Sequence, residues 1–140
     1  LALDPNSPEV LLLSAIVFYC SGRPEESIPL FEKGFRLDPF APGMYFAASS
    51  VAYHMIGRYD EAVEQARKAV KQDPKSQLTQ IALTAACILT GRDKKARTAA
   101  AEVLKINPKF SLDQYAQTLP YKDKSQIDRI INALRKAGLK

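Results

Sequence analysis

The chain has 140 residues, of which 46% are hydrophobic and 25% charged, with a net charge of +5, two cysteines and one histidine. That balance supports one folded domain with a core and excludes a disulfide scaffold and a multi-histidine metal centre. No apolar run reaches the roughly 18 residues of a membrane span, and the N-terminus lacks the basic start and long apolar stretch of a signal peptide.

In chain order, Leu1-Ala2-Leu3-Asp4-Pro5 resembles Phe35-Arg36-Leu37-Asp38-Pro39. Residues 1–7 therefore read as the end of an upstream repeat, and the chain as a piece of a longer protein. The Asp-Pro marker returns at Asp38-Pro39 and Asp73-Pro74, and as Asn107-Pro108. A second marker runs in phase with it: Gly22-Arg23, Gly57-Arg58 and Gly91-Arg92. The period is 34 or 35 residues. A period of this size means a solenoid of stacked supersecondary units.

Each unit reads as two antiparallel helices. The first helices are predicted over 8–21, 43–56 and 76–90, and the second over 24–37, 59–72 and 93–106. Gly22, Gly57 and Gly91 sit just past the first helix, where a left-handed residue closes the last turn. Pro24 suits a first helical turn, and Asp60, Glu61 and Asp93 place negative charge at a positive helix end. Pro39, Pro74 and Pro108 stop the second helix. Pro29 should kink its helix. Small residues mark close approaches: Ser27, Ala62 and Ala96 at one position, Gly34, Ala69 and Val103 at another. Leu11, Phe18, Phe31, Phe35, Phe46, Tyr53, Val70, Leu83 and Leu104 read as core.

Residues 109–140 depart from the period. Ser111 through Gln114 is a capping box that starts a short helix ended by Pro120, and Asp123 through Gln126 starts another. Ile127, Ile130, Ile131 and Leu134 then form one apolar stripe. This segment reads as a degenerate fourth unit that caps the last repeat.

These positions resemble the tetratricopeptide repeat (TPR) family. The family's glycine is matched by Gly22, Gly57 and Gly91, its alanine by Ser27, Ala62 and Ala96, and its proline by Pro39, Pro74 and Pro108. Its first-helix aromatic is matched by Phe18 and Tyr53 but replaced by Cys87. The resemblance implies an all-α, right-handed helical-hairpin solenoid: three units over 8–39, 43–74 and 77–108, then a capping helix pair over 109–140. The closing segment carries a narrower resemblance. Phe110-Ser111-Leu112, Thr118 through Asp123 and Leu134 through Leu139 look like the C-terminal tail of bacterial class III adenylate/guanylate cyclases. That implies a parent enzyme making a cyclic nucleotide, with none of the chemistry on these residues.

In a TPR array the first helices line the concave groove. Here they carry Glu9 and no other Asp, Glu, Lys or Arg. The groove positions are Leu12, Ile16 and Tyr19 in the first unit. They are Met44, Ala47, Val51, His54 and Met55 in the second, and Leu78, Ile81, Ala85 and Ile88 in the third. The family's carboxylate-clamp readers need fixed cations in this groove. None is present, so a clamped peptide terminus is not expected. An apolar groove marks a docking surface for a protein or peptide segment, or a face covered by another part of the parent or by the chain itself.

Catalytic and metal motifs are absent from the sequence, and no cofactor is implied. His54 reads as a helix residue with a hydrogen-bonded ring. Cys20 and Cys87 read as buried thiols in a reducing compartment, the cytoplasm. The expected class is a non-catalytic interaction module. A nucleic-acid-associated module of a transcriptional regulator is the alternative, but the basic run Arg92 to Arg97 lacks the aromatic platforms of a single-strand binder. An N-terminal end without its neighbouring repeat should expose Leu11, Leu12, Ile16 and Tyr19 and drive homodimerisation.

Overall fold

A computed structural model describes residues 4–140. All eight elements among them are α-helices. Three hairpins come first: α1 (Pro8–Cys20) with α2 (Pro24–Leu37), α3 (Gly43–Met55) with α4 (Tyr59–Gln72), and α5 (Gln77–Leu89) with α6 (Asp93–Ile106). The short α7 (Leu112–Thr118) and α8 (Lys124–Lys136) follow. The fold is an all-α helical-hairpin solenoid, with predicted and observed helix ends agreeing to within a residue. The upstream-repeat reading of 1–7 falls partly on residues 1–3, which lie outside the described residues.

Local chemistry repeats with the sequence. Gly22, Gly57 and Gly91 take φ values of 86°, 81° and 75°, the left-handed turn that a Cβ would strain. Asp4, Asp38 and Asn107 each accept the N–H two residues ahead, at 2.9, 3.1 and 3.2 Å. The Asp-Pro marker is thus an Asx turn around the proline. At the top of the first two hairpins an arginine closes the turn. Arg23 pairs with Glu26 and lies 4.7 Å over the Phe18 ring. Arg58 pairs with Glu61 and lies 4.9 Å over Tyr53. Cys87 replaces the aromatic in the third hairpin and that staple is gone.

The hairpins stack through their first helices, α1 on α3 and α3 on α5, while α2 and α4 each lean on the next first helix. Helix α2 continues through Pro29. Pro29 is exposed, so the carbonyl that its missing N–H leaves free can face water. Leu104, expected in the core, is 41% exposed on α6.

The closing segment does more than cap the last repeat. Helix α8 packs on α5, burying Ile130, Ile131 and Leu134 with Ile81, Ala85 and Ile88. Helix α7 packs on α8, and the Leu112 N–H bonds the Lys140 carbonyl at 3.0 Å. The loop between them reaches the first hairpin. The Lys122 N–H donates to the Cys20 carbonyl at 2.9 Å, and the Tyr121 ring meets Tyr19 edge-on at 5.9 Å. The segment therefore crosses the inner row from its last helix to its first.

Candidate partner-binding groove

The inner row and the crossing segment enclose an apolar cavity of about 210 Å³. Ile16 and Tyr19 of α1 line one side. Met44, Ala47, Val51 and His54 of α3 form the floor, and Leu78, Ile81 and Ala85 of α5 the other side. The period brings these nine predicted groove residues together because each repeats the same helical face. Met44 and Leu78 are 45% and 44% exposed and form an apolar rim.

Three predicted groove residues lie elsewhere. Leu12 is core: its Cδ2 would sit 2.6 Å from a Cβ placed on Gly34, so it fills the space that the glycine leaves between α1 and α2. Met55 is buried near Tyr121 and Gln126, under the crossing loop. Ile88 packs into the α5–α8 core. Conversely, Tyr115 of α7 and Ile130 of α8 also line the cavity. Sequence reasoning assigned them to a cap, because a fold-back onto α1 is a non-local contact with no periodic signature. The uncharged inner faces were the available signal that something covers them.

Electrostatically the site is bare. No Asp, Glu, Lys or Arg lines the cavity. Burial holds the His54 imidazole down at about 4, with the nearby Arg129 charge adding to the effect. Arg129 Nη1 donates to the His54 backbone carbonyl at 3.3 Å. The His54 ring does not have the hydrogen bond expected from sequence. Neither Nδ1 nor Nε2 has a partner among the described residues, although the hydroxyl-bearing Tyr19, Ser50 and Tyr115 line the same cavity. Burial also raises the Tyr115 phenol to about 12 and pushes Tyr19 well above its ordinary value. Ser50 lines the wall, but its hydroxyl donates to the Ala62 carbonyl at 2.7 Å. A metal-holding group of three or more His, Cys, Asp or Glu is absent among the described residues. None of the described helices is long and apolar enough to cross a membrane.

Stacked helical hairpins around an apolar inner groove define a helical repeat solenoid. Two tetratricopeptide repeat family models match, over residues 12–77 and 56–119, and the chain is a tetratricopeptide repeat protein. Among curated relatives, "Putative adenylate cyclase 3" of Rhizobium meliloti (strain 1021) is 47% identical over 38 residues, which is 27% of this chain and 6% of that protein. Small glutamine-rich tetratricopeptide repeat-containing protein 2 of Mycosarcoma maydis is 30% identical over 82 residues, 59% of this chain and 23% of that one. The chain thus spans less than a quarter of either relative. Among solved structures, MamA superposes with a TM-score of 0.72 at 24% identity, covering 96% of this chain and 78% of that one. The first TPR of Spaghetti (RPAP3) bound to an HSP90 peptide gives 0.70 at 18% identity, covering 95% and 97%. The Yersinia enterocolitica chaperone SycD, in complex with a YopD peptide, gives 0.66 at 16%, covering 91% of each chain. At these identities the likeness is one of fold. The tetratricopeptide repeat match supports a protein–protein interaction module.

Proposed function

We propose that this chain is the docking module of a bacterial signalling protein of the adenylate/guanylate cyclase class, and that its groove receives a protein segment or another domain of the same parent. The apolar rim of Met44 and Leu78 over an uncharged cavity supports the docking part. The 38-residue match at 47% identity supports the parent. With no cation in the cavity wall, the partner is not held by a carboxylate terminus. The free thiols Cys20 and Cys87 suit a reducing cytoplasm. The test joins this chain in trans to the catalytic domain of the full-length parent and measures binding by calorimetry. Met44→Glu with Leu78→Glu, both exposed, should abolish binding without loss of helicity. Undiminished binding by that double variant would remove the groove from the account.

A second surface is favoured by the repeat register. Ala48 and Ala52 of α3, and Ala82 and Ala86 of α5, are buried where the preceding hairpin leans on them. Their counterparts in α1 are Leu13 and Val17, and Val17 is 63% exposed against 0% for Ala52. Leu11, Leu12 and Tyr19, which the sequence had assigned to this face, are buried. The uncovered face is therefore the Leu13–Val17 stripe, which suits another helical hairpin, from the parent or from a second copy. Light scattering should show a dimer at high concentration that Leu13→Glu with Val17→Glu dissolves. A dimer indifferent to both changes would point to another surface.

A further inference from the structure

We propose that the cavity between the inner row and the crossing segment is a binding site for a small uncharged aromatic molecule bearing a hydroxyl, a phenol-class ligand, with His54 as its polar contact. Size sets the first constraint. A cavity of about 150 Å³ lined by aliphatic side chains accepts benzene. The volume of about 210 Å³ here leaves room for one six-membered ring and a short substituent. Charge sets the second. An ion would lose its hydration against a wall of Ile16, Val51, Ile81, Ala85 and Ile130, with no counter-charge lining the site.

The third constraint is the histidine. The equivalent positions in the neighbouring repeats hold Tyr19 and Ile88, so the repeat does not require an imidazole here. His54 lines the cavity, is 1% exposed and leaves both ring nitrogens without a partner among the described residues. Such groups are costly and are normally paired. A neutral imidazole offers one N–H donor and one lone-pair acceptor. A hydroxyl both donates and accepts, so one such group can answer either nitrogen, and it is the smallest uncharged substituent on a ring that does so. The broad χ2 wells of histidine let the ring turn one nitrogen towards a guest. The rim of Met44 and Leu78 leaves an apolar entrance.

The test needs no protein partner, so it stands apart from the docking reading. Phenol, toluene and benzoate are titrated separately into the 140-residue chain. Methyl NMR shifts of Ile16, Val51, Ile81 and Ile130 report occupancy. Phenol should saturate these shifts and bind about tenfold more tightly than toluene, the factor a single net hydrogen bond supplies. Benzoate should not bind. His54→Leu should remove the preference for phenol while toluene still binds. Val51→Phe, made at a half-buried position, should fill the cavity and weaken both rings at least about tenfold. It also tests the site should His54→Leu fail to fold. Equal affinity for phenol and toluene in the wild type would overturn the role of His54. Absence of saturable shifts with any ring, or benzoate binding as tightly as phenol, would overturn the site.

Discussion

Ser27 donates its hydroxyl to the backbone carbonyl of Ala15 at 2.6 Å, joining the two helices of the first hairpin at their closest approach. One repeat later the same two positions exchange roles, and Ser50 of the first helix donates to the Ala62 carbonyl at 2.7 Å. Both hydroxyls are buried. Each position must be small so that the helices can approach, and in these two hairpins one hydroxyl uses the spare lone pair of the facing helix's carbonyl, whereas Thr84 of the third donates to Gln80 within α5 at 2.8 Å.

Ser27→Ala should therefore cost about 1 kcal/mol, the net worth of one buried hydrogen bond. The exchange makes a sharper test. Adding Ala15→Ser to Ser27→Ala reproduces the arrangement of the second hairpin and should restore most of the loss. Urea denaturation of the three proteins measures both steps. No recovery in the double variant would mean that the two hairpins differ in helix spacing.

Gly43 opens α3 against the end of α4. A Cβ there would lie 2.8 Å from the Ala69 carbonyl oxygen and 2.9 Å from Asp73 Cβ. Backbone cannot yield as a flexible side chain can. Gly43→Ala should destabilise the fold by about 1–2 kcal/mol despite alanine's better helix propensity. A Gly43→Ala variant as stable as the wild type would show that the α3–α4 contact has slack.

The reach of the sequence is visible in these same residues. Gly22, Gly57 and Gly91, the Asp-Pro turns and the small positions 27, 62 and 96 recur in phase, and each dictates a local geometry that the structure repeats. That phase alone brings nine residues of the inner helices to one cavity wall. Leu12 departs from it, because its burial depends on Gly34, a residue on another helix that the repeat does not conserve as glycine. Tyr115, Tyr121 and Ile130 do not follow from it, because the closing segment breaks the period and its direction is decided by contacts with α1 and α5. Unpaired His54 was hidden for the same reason: a ring's partners come from neighbouring elements, not from its own helix.

The crossing segment is held at its far end by Tyr121. Tyr121→Ala should remove the edge-on contact with Tyr19 and cost about 2 kcal/mol, whereas Tyr121→Phe keeps the ring and should cost less than about 0.5 kcal/mol. Hydrogen exchange adds a local readout. The Lys122 amide, bonded to the Cys20 carbonyl, should lose protection in Tyr121→Ala and keep it in Tyr121→Phe. Equal protection in both variants would mean that the backbone bond alone holds the segment.

His54 makes stability depend on pH with a definite sign. Its folded pKa is about 4, below the ordinary 6.5, first through burial and then through the Arg129 charge. The other titratable groups facing the cavity, Tyr19 and Tyr115, are phenols whose pKa values burial raises, so they stay neutral in acid. Above about pH 6.5 the imidazole is neutral in both folded and unfolded chains and contributes nothing. As pH falls from 6.5 towards 4, the unfolded chain takes up a proton that the folded chain refuses, and stability declines. The full loss, reached below the folded pKa, is about 3 kcal/mol. Glu26 and Asp123 carry depressed pKa values through hydrogen bonds to Arg23 and Ser125, so their own losses come at lower pH and are common to any His54 variant. Urea midpoints measured from pH 7.5 to 4 for the wild type and His54→Leu isolate the imidazole. The gap between the two curves should change by about 3 kcal/mol across this window, with the wild type losing more. Parallel curves would show that His54 protonates in place, and would place its ring in contact with water.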